Sequence, residues 1–399
     1  MKKVFKSLIT TILAAAILVT SFAGCSGSNS TASTAASSGA ATASSGKPTS
    51  IAPFKIGFPF LTSNDPTYTA ILNSAKTVCK AAGGELVTAS WDFTPDQLVT
   101  DVQKLISMGC NGIMIIPTSD SVLPKIKQMC ETAKVPFSIV YRSINDPDIK
   151  AAVESSPYYV GNCWEDEENT GYQVMKQLSG MGAKNVALLG VNKGDTTGDA
   201  RDRGIQKAAK EDNVKILAET RGIMQSADAT KAVESFIAAY PEMDGLYIVG
   251  GSICPGILEA ATKALAGHGK TGKVKIGMID FSSGIGDALS KKELSVVAGG
   301  HMVLDPTLSC TMLVNKVIGT PLSDKPVSLS IKLMYIKNAE DAANYFKYVE
   351  GSVPPFTEDE IKKDMLKFYN PTLNKDGLDK INANFSVQDV MTRHKGLVK

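Results

Sequence analysis

Apolar runs of strand length alternate with segments of helical period along most of this chain. From Phe54 onward, short apolar runs bounded by Gly, Pro or Asn predict strands, and several are apolar throughout, as strands covered on both faces must be. The predicted strands span residues 54–60, 85–90, 112–117, 136–141, 158–162, 185–190, 214–220, 245–250, 274–280, 294–298 and 327–336. Strand-helix-strand order at this spacing predicts parallel sheets with right-handed crossovers.

Helical patterning is clearest between residues 95 and 108. Four apolar residues recur there at the spacing of one helix face: Leu98, Val102, Leu105 and Ile106. Thr94 and Gln97 predict a capping box around Pro95, which suits the first position of a helix. This segment is therefore predicted to be an amphipathic helix between two strands.

After the last predicted strand the alternation ends. Residues 338–349 and 358–368 predict helices, and Thr357 with Glu360 three residues later predicts a cap for the second one. We predict that residues 338–399 form a helical C-terminal extension that packs against a lobe.

The first 24 residues have the layout of a secretory signal. Three lysines precede an apolar run over residues 8–19, and small residues follow it up to Cys25. A helix that spans a bilayer needs about 20 apolar residues, and this run is shorter. Residues 1–24 are therefore predicted to be a lipoprotein signal peptide, with an uncleaved membrane anchor as the alternative. The rest of the chain is predicted to be extracytoplasmic.

The junction after this signal indicates how the protein is held at the membrane. Small residues followed by cysteine resemble a bacterial lipobox, with Phe22 where that motif usually has Leu. The resemblance implies that Cys25 is lipidated and anchors the protein to the bacterial cell membrane. Residues 26–50 are almost wholly Ser, Ala, Thr and Gly, so a disordered linker is predicted over residues 25–52. Membrane contact is expected through the lipid anchor alone.

Length and charge narrow the function classes. The 399 residues, less the signal and linker, exceed what one hydrophobic core usually serves, so two lobes are expected. The net charge is +2, and residues 1–24 hold three lysines and no acidic residue, so the remainder is close to neutral. Because no basic run occurs, the composition argues against nucleic acid as a partner.

Sequence motifs typical of enzymes and cofactor sites are either missing or lie between the wrong secondary-structure elements. Residues 267–273 match GxGxxG and nearly match a P-loop, but a predicted helix precedes them and a strand follows. Phosphate binding requires the reverse order. The three histidines lie far apart, and the sequence has no CxxC, HExxH or GxSxG motif. We therefore expect no enzyme, no cofactor and no metal site.

Polar and aromatic residues gather where the predicted strands end. In an open parallel sheet, ligands bind beyond the carboxyl ends of the strands, because loops converge there. The residues predicted to bind ligand are Asn64, Asp65, Tyr68, Trp91, Asp92, Tyr141, Arg142, Asn162, Trp164, Arg203, Asp280, Phe281 and His301. Carboxylates and guanidinium groups engage adjacent sugar hydroxyls, and aromatic faces cover the C–H side of the ring. The set predicts a polyhydroxylated small molecule, such as a monosaccharide.

Several of these residues also have structural interpretations. Asp65 could cap the helix that follows it, and Arg201 and Arg203 could be solvated helix charges. Arg142 and Asp280 are the hardest to explain in this way, because both close apolar strands at the predicted crevice.

Seven segments in order carry a family resemblance. They include KIGFPFLTSNDPTY with Asn64, Asp65 and Tyr68, VPFSIVYRS with Arg142, GDARDRG with Arg203, and KIGMIDF with Asp280. Over residues 54–336 their order resembles that of a type I periplasmic binding protein of the ribose/galactose-binding group, the capture subunits of sugar ABC transporters. The resemblance implies that the named residues contact sugar.

The chain departs from the family pattern at three places. Tyr141 stands where the family usually has Asp, Gly250 and Gly251 stand where Asn-Asp is common, and His301 falls near a hinge Gln. The usual pentose or hexose contacts are thus not all present.

The resemblance implies an α/β fold with two lobes, each a parallel sheet flanked by helices, joined by a three-crossover hinge. The N-terminal lobe is expected over residues 53–160 and 301–327, and the C-terminal lobe over residues 161–300 and 328–337. The ligand is expected between the lobes, which close around it by a hinge motion.

The sequence therefore predicts a lipid-anchored substrate-binding protein that captures a sugar or sugar-like molecule by hinge closure and delivers it to an ABC transporter permease. We expect it to act as a monomer. A sensory module of the same fold, signalling to a chemoreceptor or histidine kinase, is the alternative, and an extracellular hydrolase is a weaker one. A neighbouring gene for a permease or a sensor would separate the first two. Recovery of the bound ligand unchanged would exclude the third.

Overall fold

The computed structural model describes residues 50–61, 66–90, 92–251, 254, 256–282 and 284–398, which belong to one compact unit. The predicted signal peptide, the predicted lipidation site Cys25 and most of the predicted linker lie outside the described residues. So do three predicted ligand contacts: Asn64, Asp65 and Trp91. Within the described ranges, no helix combines the length and apolar character needed to cross a membrane.

The strands of the described residues form two sheets. In chain order they are β1 (Lys55–Pro59), β2 (Glu85–Ala89), β3 (Gly112–Ile115), β4 (Phe137–Ile139), β5 (Tyr159–Glu165), β6 (Asn185–Leu189), β7 (Lys215–Thr220), β8 (Gly245–Ile248), β9 (Lys275–Ile279), β10 (Val296–Gly299), β11 (Val327–Ile331) and β12 (Met334–Ile336). The first sheet has the order β2-β1-β3-β4-β5-β11 and is parallel throughout. The second has the order β7-β6-β8-β9-β10-β12 and is parallel except where β12 pairs with β10.

Helices connect the strands and cover the sheets. In chain order they are α1 (Pro66–Ala81), α2 (Pro95–Ser107), α3 (Leu123–Ala133), α4 (Pro147–Glu154), α5 (Glu167–Gly180), α6 (Thr196–Glu211), α7 (Ser226–Ala239), α8 (Ile257–Gly267), α9 (Ile285–Ser290), α10 (Leu304–Val317), α11 (Ala339–Tyr348), α12 (Glu358–Met365), α13 (Lys375–Asn384) and α14 (Val387–Arg393). The central strands β3 and β8 are buried along their whole length, as their apolar sequences predict for strands with both faces covered.

The helix predicted from residue 95 onward is α2, and its cap explains a nearby carboxylate. The Thr94 hydroxyl accepts the Gln97 N–H at 3.4 Å, as predicted. The second hydrogen bond of the predicted capping box, donated by the Thr94 N–H, goes to the Asp92 carboxylate and not to the Gln97 side chain. The Asp92 carboxylate accepts the Thr94 N–H at 3.0 Å and the Thr94 hydroxyl at 2.6 Å. Hydrogen bonding to Thr94 lowers the pKa of Asp92, so this carboxylate stays ionised and orders the helix start.

The chain passes between the lobes at three crossovers. Strands β5 and β11 both belong to the first sheet, so the crossovers fall after Glu165, at Gly300 and at residues 332–333. The sequence-based boundaries at 160/161 and 327/328 precede these crossovers by a few residues. The predicted strand 327–336 is divided between the two sheets. The apolar pattern continues across residues 332–333, where the chain passes from the first sheet to the second, so the pattern alone does not show that the strand is divided there.

The C-terminal extension contains the two predicted helices, α11 and α12, followed by α13 and α14. Thr357 and Glu360 form the predicted capping box of α12. The extension packs against both lobes, not one: α11 contacts α9 of the second lobe, whereas α12 contacts α1 and α13 contacts β11 of the first.

Candidate functional site

A cavity lies between the lobes, at the carboxyl ends of strands from both sheets. The space between its lining residues, including the part that is open to solvent, is about 500 Å³. The first lobe contributes Phe60, Tyr68, Phe93, Ile116, Tyr141 and Arg142, the second contributes Glu167, Thr197, Arg201 and Asp280, and the second crossover contributes His301 and Met302. Aromatic and apolar surface thus comes mainly from the first lobe, and charged groups come mainly from the second.

Three residues at the cavity have a left-handed backbone. Phe93, Tyr141 and Asp280 have φ angles of 63°, 61° and 72°, and each comes shortly after a strand. This conformation costs a non-glycine residue on the order of 1–3 kcal/mol, and such strain concentrates at ligand clamps and active sites. Three of the six non-glycine residues with positive φ in the described part of the chain therefore lie at the cavity, which supports the cavity as the candidate functional site.

Arg201 of α6 is buried in the cavity wall and pairs with two carboxylates. Glu167 accepts from Nε at 2.7 Å and from Nη2 at 2.9 Å, and Asp280 accepts from Nη1 at 3.3 Å and from Nη2 at 3.4 Å. The Val249 carbonyl accepts from Nη1 at 2.6 Å. These bonds occupy all the N–H donors of a guanidinium. Arg201 therefore fixes the positions of Glu167 and Asp280.

The charges in this network influence one another. Burial lowers the pKa of Arg201, but the adjacent Asp280 and Glu167 carboxylates raise it more, so the guanidinium stays charged. Burial raises the pKa of Glu167, and the Arg201 charge opposes that rise. The arrangement is a buried cation between two acidic side chains, and its stability depends on all three being present.

Arg142 reaches from the first lobe toward the second. It follows β4, its Nη1 donates to the Tyr141 carbonyl at 3.1 Å, and its Nη2 lies 3.7 Å from the Asp195 carboxylate at the N-cap of α6. Its Nε is buried and has no hydrogen-bond partner within the described residues. A buried N–H without a partner costs about 1–3 kcal/mol. An oxygen atom of a ligand in the cavity would remove that cost.

His301 adds a polar group without a net charge. Burial lowers the pKa of His301 to about 4, so the ring is neutral at pH 7. Its Nε2 lies 3.8 Å from Asp280, and its ring meets the ring of Tyr141 edge to face at 5.8 Å. Its Nδ1 has no hydrogen-bond partner in the part of the chain that the structure describes. The imidazole can therefore donate to, or accept from, a hydroxyl.

Two carboxyl groups are buried together at the hinge. Glu165 ends β5 just before the first crossover, and Asp305 lies in the first turn of α10, just after the second. Among the described residues, none of their four oxygens makes a hydrogen bond of good geometry. Burial and the neighbouring Asp305 carboxylate raise the pKa of Glu165, and burial raises the pKa of Asp305 to about 7. The pair therefore favours a shared proton.

The structure brings five of the predicted ligand contacts together. These are Tyr68, Tyr141, Arg142, Asp280 and His301, and all line the cavity. Asn162 of β5 lies just behind them, where its Nδ2 donates to the Arg142 carbonyl at 2.9 Å. Asn162 thus orients the loop that carries Arg142.

Four other predicted contacts lie elsewhere. Asp92 caps α2, as described above. The Trp164 indole donates to the Ser328 hydroxyl at 2.9 Å, so it joins β5 to β11. Phe281 is fully buried, with its ring against the Gly299 backbone. Arg203 faces outward and pairs with Glu168 at 3.0 Å.

The correction from Arg203 to Arg201 has a simple geometric reason. Residues two apart on a helix point roughly 200° apart around its axis, so only one of them can face the cavity. Arg203 keeps 58% of its side chain exposed, while Arg201 keeps 4%. The residue that carries the buried charge on α6 is therefore Arg201.

Other cavity residues were not predicted from the sequence: Phe60, Phe93, Ile116, Glu167, Thr197, Arg201 and Met302. Glu167 lies in the first turn of α5, just after the first crossover, and Thr197 lies in the first turn of α6, just after the loop that follows β6. Their positions in the sequence could therefore have indicated that they line the cavity. The apolar residues carried no signal separate from their role in the core. Within the described ranges, no group of three or more His, Cys, Asp or Glu side chains is arranged to hold a metal ion.

Comparison with known proteins agrees with this architecture. Residues 56–318 match the family model described as periplasmic binding protein domain, which spans most of both lobes. The chain belongs to this family. As the word periplasmic in its description indicates, the binding domains of this family lie outside the cytoplasm.

Two curated relatives of this periplasmic binding protein are distant in sequence. The xylitol-binding protein of Mycolicibacterium smegmatis is 25% identical over 214 residues, which is 52% of this chain and 57% of that protein. The ribose import binding protein RbsB of Bacillus subtilis is 21% identical over 207 residues, 52% of this chain and 65% of that protein. The chain therefore spans less than two thirds of the length of either relative.

A solved structure confirms the predicted fold class. An ABC transporter periplasmic solute binding protein from Actinobacillus succinogenes, solved with bound D-allose, has a TM-score of 0.62 at 19% identity. The superposition covers 73% of this chain and 99% of that one. The periplasmic binding protein described here has the same fold of two α/β lobes. Its own C-terminal helices α11 to α14 follow the last strand.

Proposed function

We propose that this periplasmic binding protein captures a sugar or polyol between its lobes by hinge closure and delivers it to an ABC transporter permease. The observation that carries the proposal is the interlobe cavity, with aromatic surface on one side and carboxylates and guanidinium groups on the other. Sugar hydroxyls both donate and accept hydrogen bonds, and aromatic faces cover C–H groups. The names of the relatives, for xylitol and ribose, support the same ligand class.

The charges at the cavity favour an uncharged ligand. Arg201 is offset by Glu167 and Asp280, and Arg142 lies beside Asp195. An anionic ligand would bring a further negative charge into a buried site that already holds carboxylates, and burying a poorly compensated charge is costly. A neutral polyhydroxylated molecule avoids that cost and can still use the unpaired polar atoms.

Contacts between the lobes support closure as the capture step. The Thr196 N–H at the start of α6 donates to the Thr118 carbonyl of the first lobe at 3.2 Å. Arg142 and Asp195 also face each other from different lobes. These contacts would separate if the hinge opened, so they belong to a closed form of the protein.

Arg142→Met is expected to weaken ligand binding at least tenfold, because a hydrogen bond to a charged group contributes about 1.5–3 kcal/mol. A thermal-shift screen over monosaccharides and polyols, including xylitol, ribose and D-allose, identifies the stabilising compound, since a ligand of the native state raises the melting temperature. The shift should then shrink in Arg142→Met.

Arg203→Met is the matched control, because it makes the same chemical change at an exposed position outside the cavity. We expect it to retain the full shift. If no compound in a broad panel raises the melting temperature, that result would count against a sugar or polyol ligand. An equal shift in Arg142→Met and the wild type would remove Arg142 from the binding site.

The proposal includes anchoring through a lipid on Cys25. Cys25→Ser is expected to move the protein from the membrane fraction to the soluble fraction and to abolish incorporation of a fatty-acid label, whereas Ser28→Ala should change neither. Retention of Cys25→Ser in the membrane would instead support an uncleaved N-terminal anchor.

A further inference from the structure

The C-terminal extension connects the two lobes outside the three crossovers. It lies beyond the family match, which ends at residue 318. Helix α11 packs on α9 of the second lobe, where Ala342 faces Gly286, and α12 packs on α1 of the first lobe. Residues 349–357, between these helices, therefore pass from one lobe to the other.

Glu350 lies in this passage, and its carboxyl group joins elements of different lobes. The Thr67 hydroxyl of α1 donates to Oε2 at 2.8 Å, and the Tyr345 hydroxyl of α11 donates to Oε1 at 2.6 Å. Glu350 is 7% exposed and Tyr345 is fully buried. Because these bonds are shielded from water, they are stronger than the same bonds would be on the surface.

Both ends of this bridge adjoin the cavity. Thr67 directly precedes Tyr68, which lines the cavity from the first lobe. The Tyr345 ring packs edge to face on Phe281 at 4.7 Å, and Phe281 directly follows the cavity residue Asp280. A rotation that separates the lobes would therefore pull α1 away from α11 and strain or break the Thr67–Glu350 bond.

We propose that residues 338–398 act as a clasp, in which Tyr345 holds Glu350 and Glu350 binds the Thr67 hydroxyl when the lobes close. The clasp stabilises the closed form independently of the ligand and so sets the fraction of the protein that is closed before capture. This inference rests on the proposed hinge closure. Its test uses protein without ligand, so its failure can be distinguished from failure of the proposed ligand class.

Thr67→Val removes the hydroxyl and keeps the side-chain shape. The reporter is amide hydrogen exchange at Thr196, whose N–H bonds to the Thr118 carbonyl across the lobes. We expect this exchange to become about tenfold faster in ligand-free Thr67→Val, in line with loss of one buried hydrogen bond to a carboxyl group. Thr77→Val is the matched control, because the Thr77 hydroxyl donates to the Asn73 carbonyl within α1.

Tyr345→Phe tests the other half of the clasp, since it keeps the ring on Phe281 and removes only the bond to Glu350. We expect the same faster exchange at Thr196, and no change in Tyr369→Phe, whose ring is about half exposed. Wild-type exchange at Thr196 in both Thr67→Val and Tyr345→Phe would overturn the clasp. Equal acceleration throughout the buried strand β3 would also overturn it, because that result reports lost fold stability and not hinge opening.

Discussion

Arg201→Met is expected to lower the free energy of unfolding by about 3–5 kcal/mol, because it leaves the buried carboxylates of Glu167 and Asp280 without their cation. The methionine roughly preserves the volume of the side chain, so the loss reports charge and hydrogen bonding more than packing. Urea denaturation at pH 7 measures the change, as a shift in the midpoint urea concentration with no change in the m value.

Arg203→Met is again the control on the same helix. Its exposed pair with Glu168 should contribute about 0–1 kcal/mol. We also expect Glu167→Gln to recover part of the stability lost in Arg201→Met, because it removes one of the uncompensated charges. Similar small losses in Arg201→Met and Arg203→Met would contradict the buried network that the structure shows.

Asp305→Asn is expected to gain stability relative to the wild type as the pH rises from about 4 to 8, by a total on the order of 1–3 kcal/mol. Burial raises the pKa of Asp305 in the folded protein to about 7, above its ordinary value of 3.8. Between these values the folded state binds the proton more tightly than the unfolded state does. The contribution of Asp305 to stability is therefore full below pH 4 and is lost as the pH rises through about 7.

The measurement is urea unfolding of the wild type and Asp305→Asn at several pH values between 4 and 8. His301, whose pKa is lowered by burial, destabilises both proteins equally toward low pH, so their difference isolates the carboxyl pair. Asp324→Asn makes the same chemical change on the exposed loop before β11 and serves as the control for replacing a carboxylate away from the buried pair. A pH-independent difference for Asp305→Asn would show that Glu165 and Asp305 do not share a proton.

Much of the fold follows from local pattern. The alternation of apolar runs and helical segments predicts the two parallel sheets, because central strands such as β3 and β8 are buried on both faces and are apolar throughout. The division of residues 327–336 between the sheets was not predictable in this way. The pairing of β11 with β5 and of β12 with β10 depends on which strand lies alongside, and the local sequence of β11 and β12 does not encode that choice.

The site was predictable where chain position determines it. Arg142 and Asp280 follow apolar strands, and the carboxyl ends of parallel strands converge on one crevice. The assignment of Arg203 failed because the orientation of a helix about its axis depends on packing against its neighbours. Glu350 gave no signal at all, since its partner Thr67 lies 283 positions away in the chain.

Amide hydrogen exchange at Thr196, in saturating amounts of the compound that gives the largest thermal shift, tests the central claim most directly. If the ligand sits between the lobes and holds them closed, exchange at Thr196 and around the cavity residues of both lobes should slow markedly. Unchanged exchange at Thr196, with protection confined to one lobe or to a surface away from Arg142 and Asp280, would contradict capture by closure.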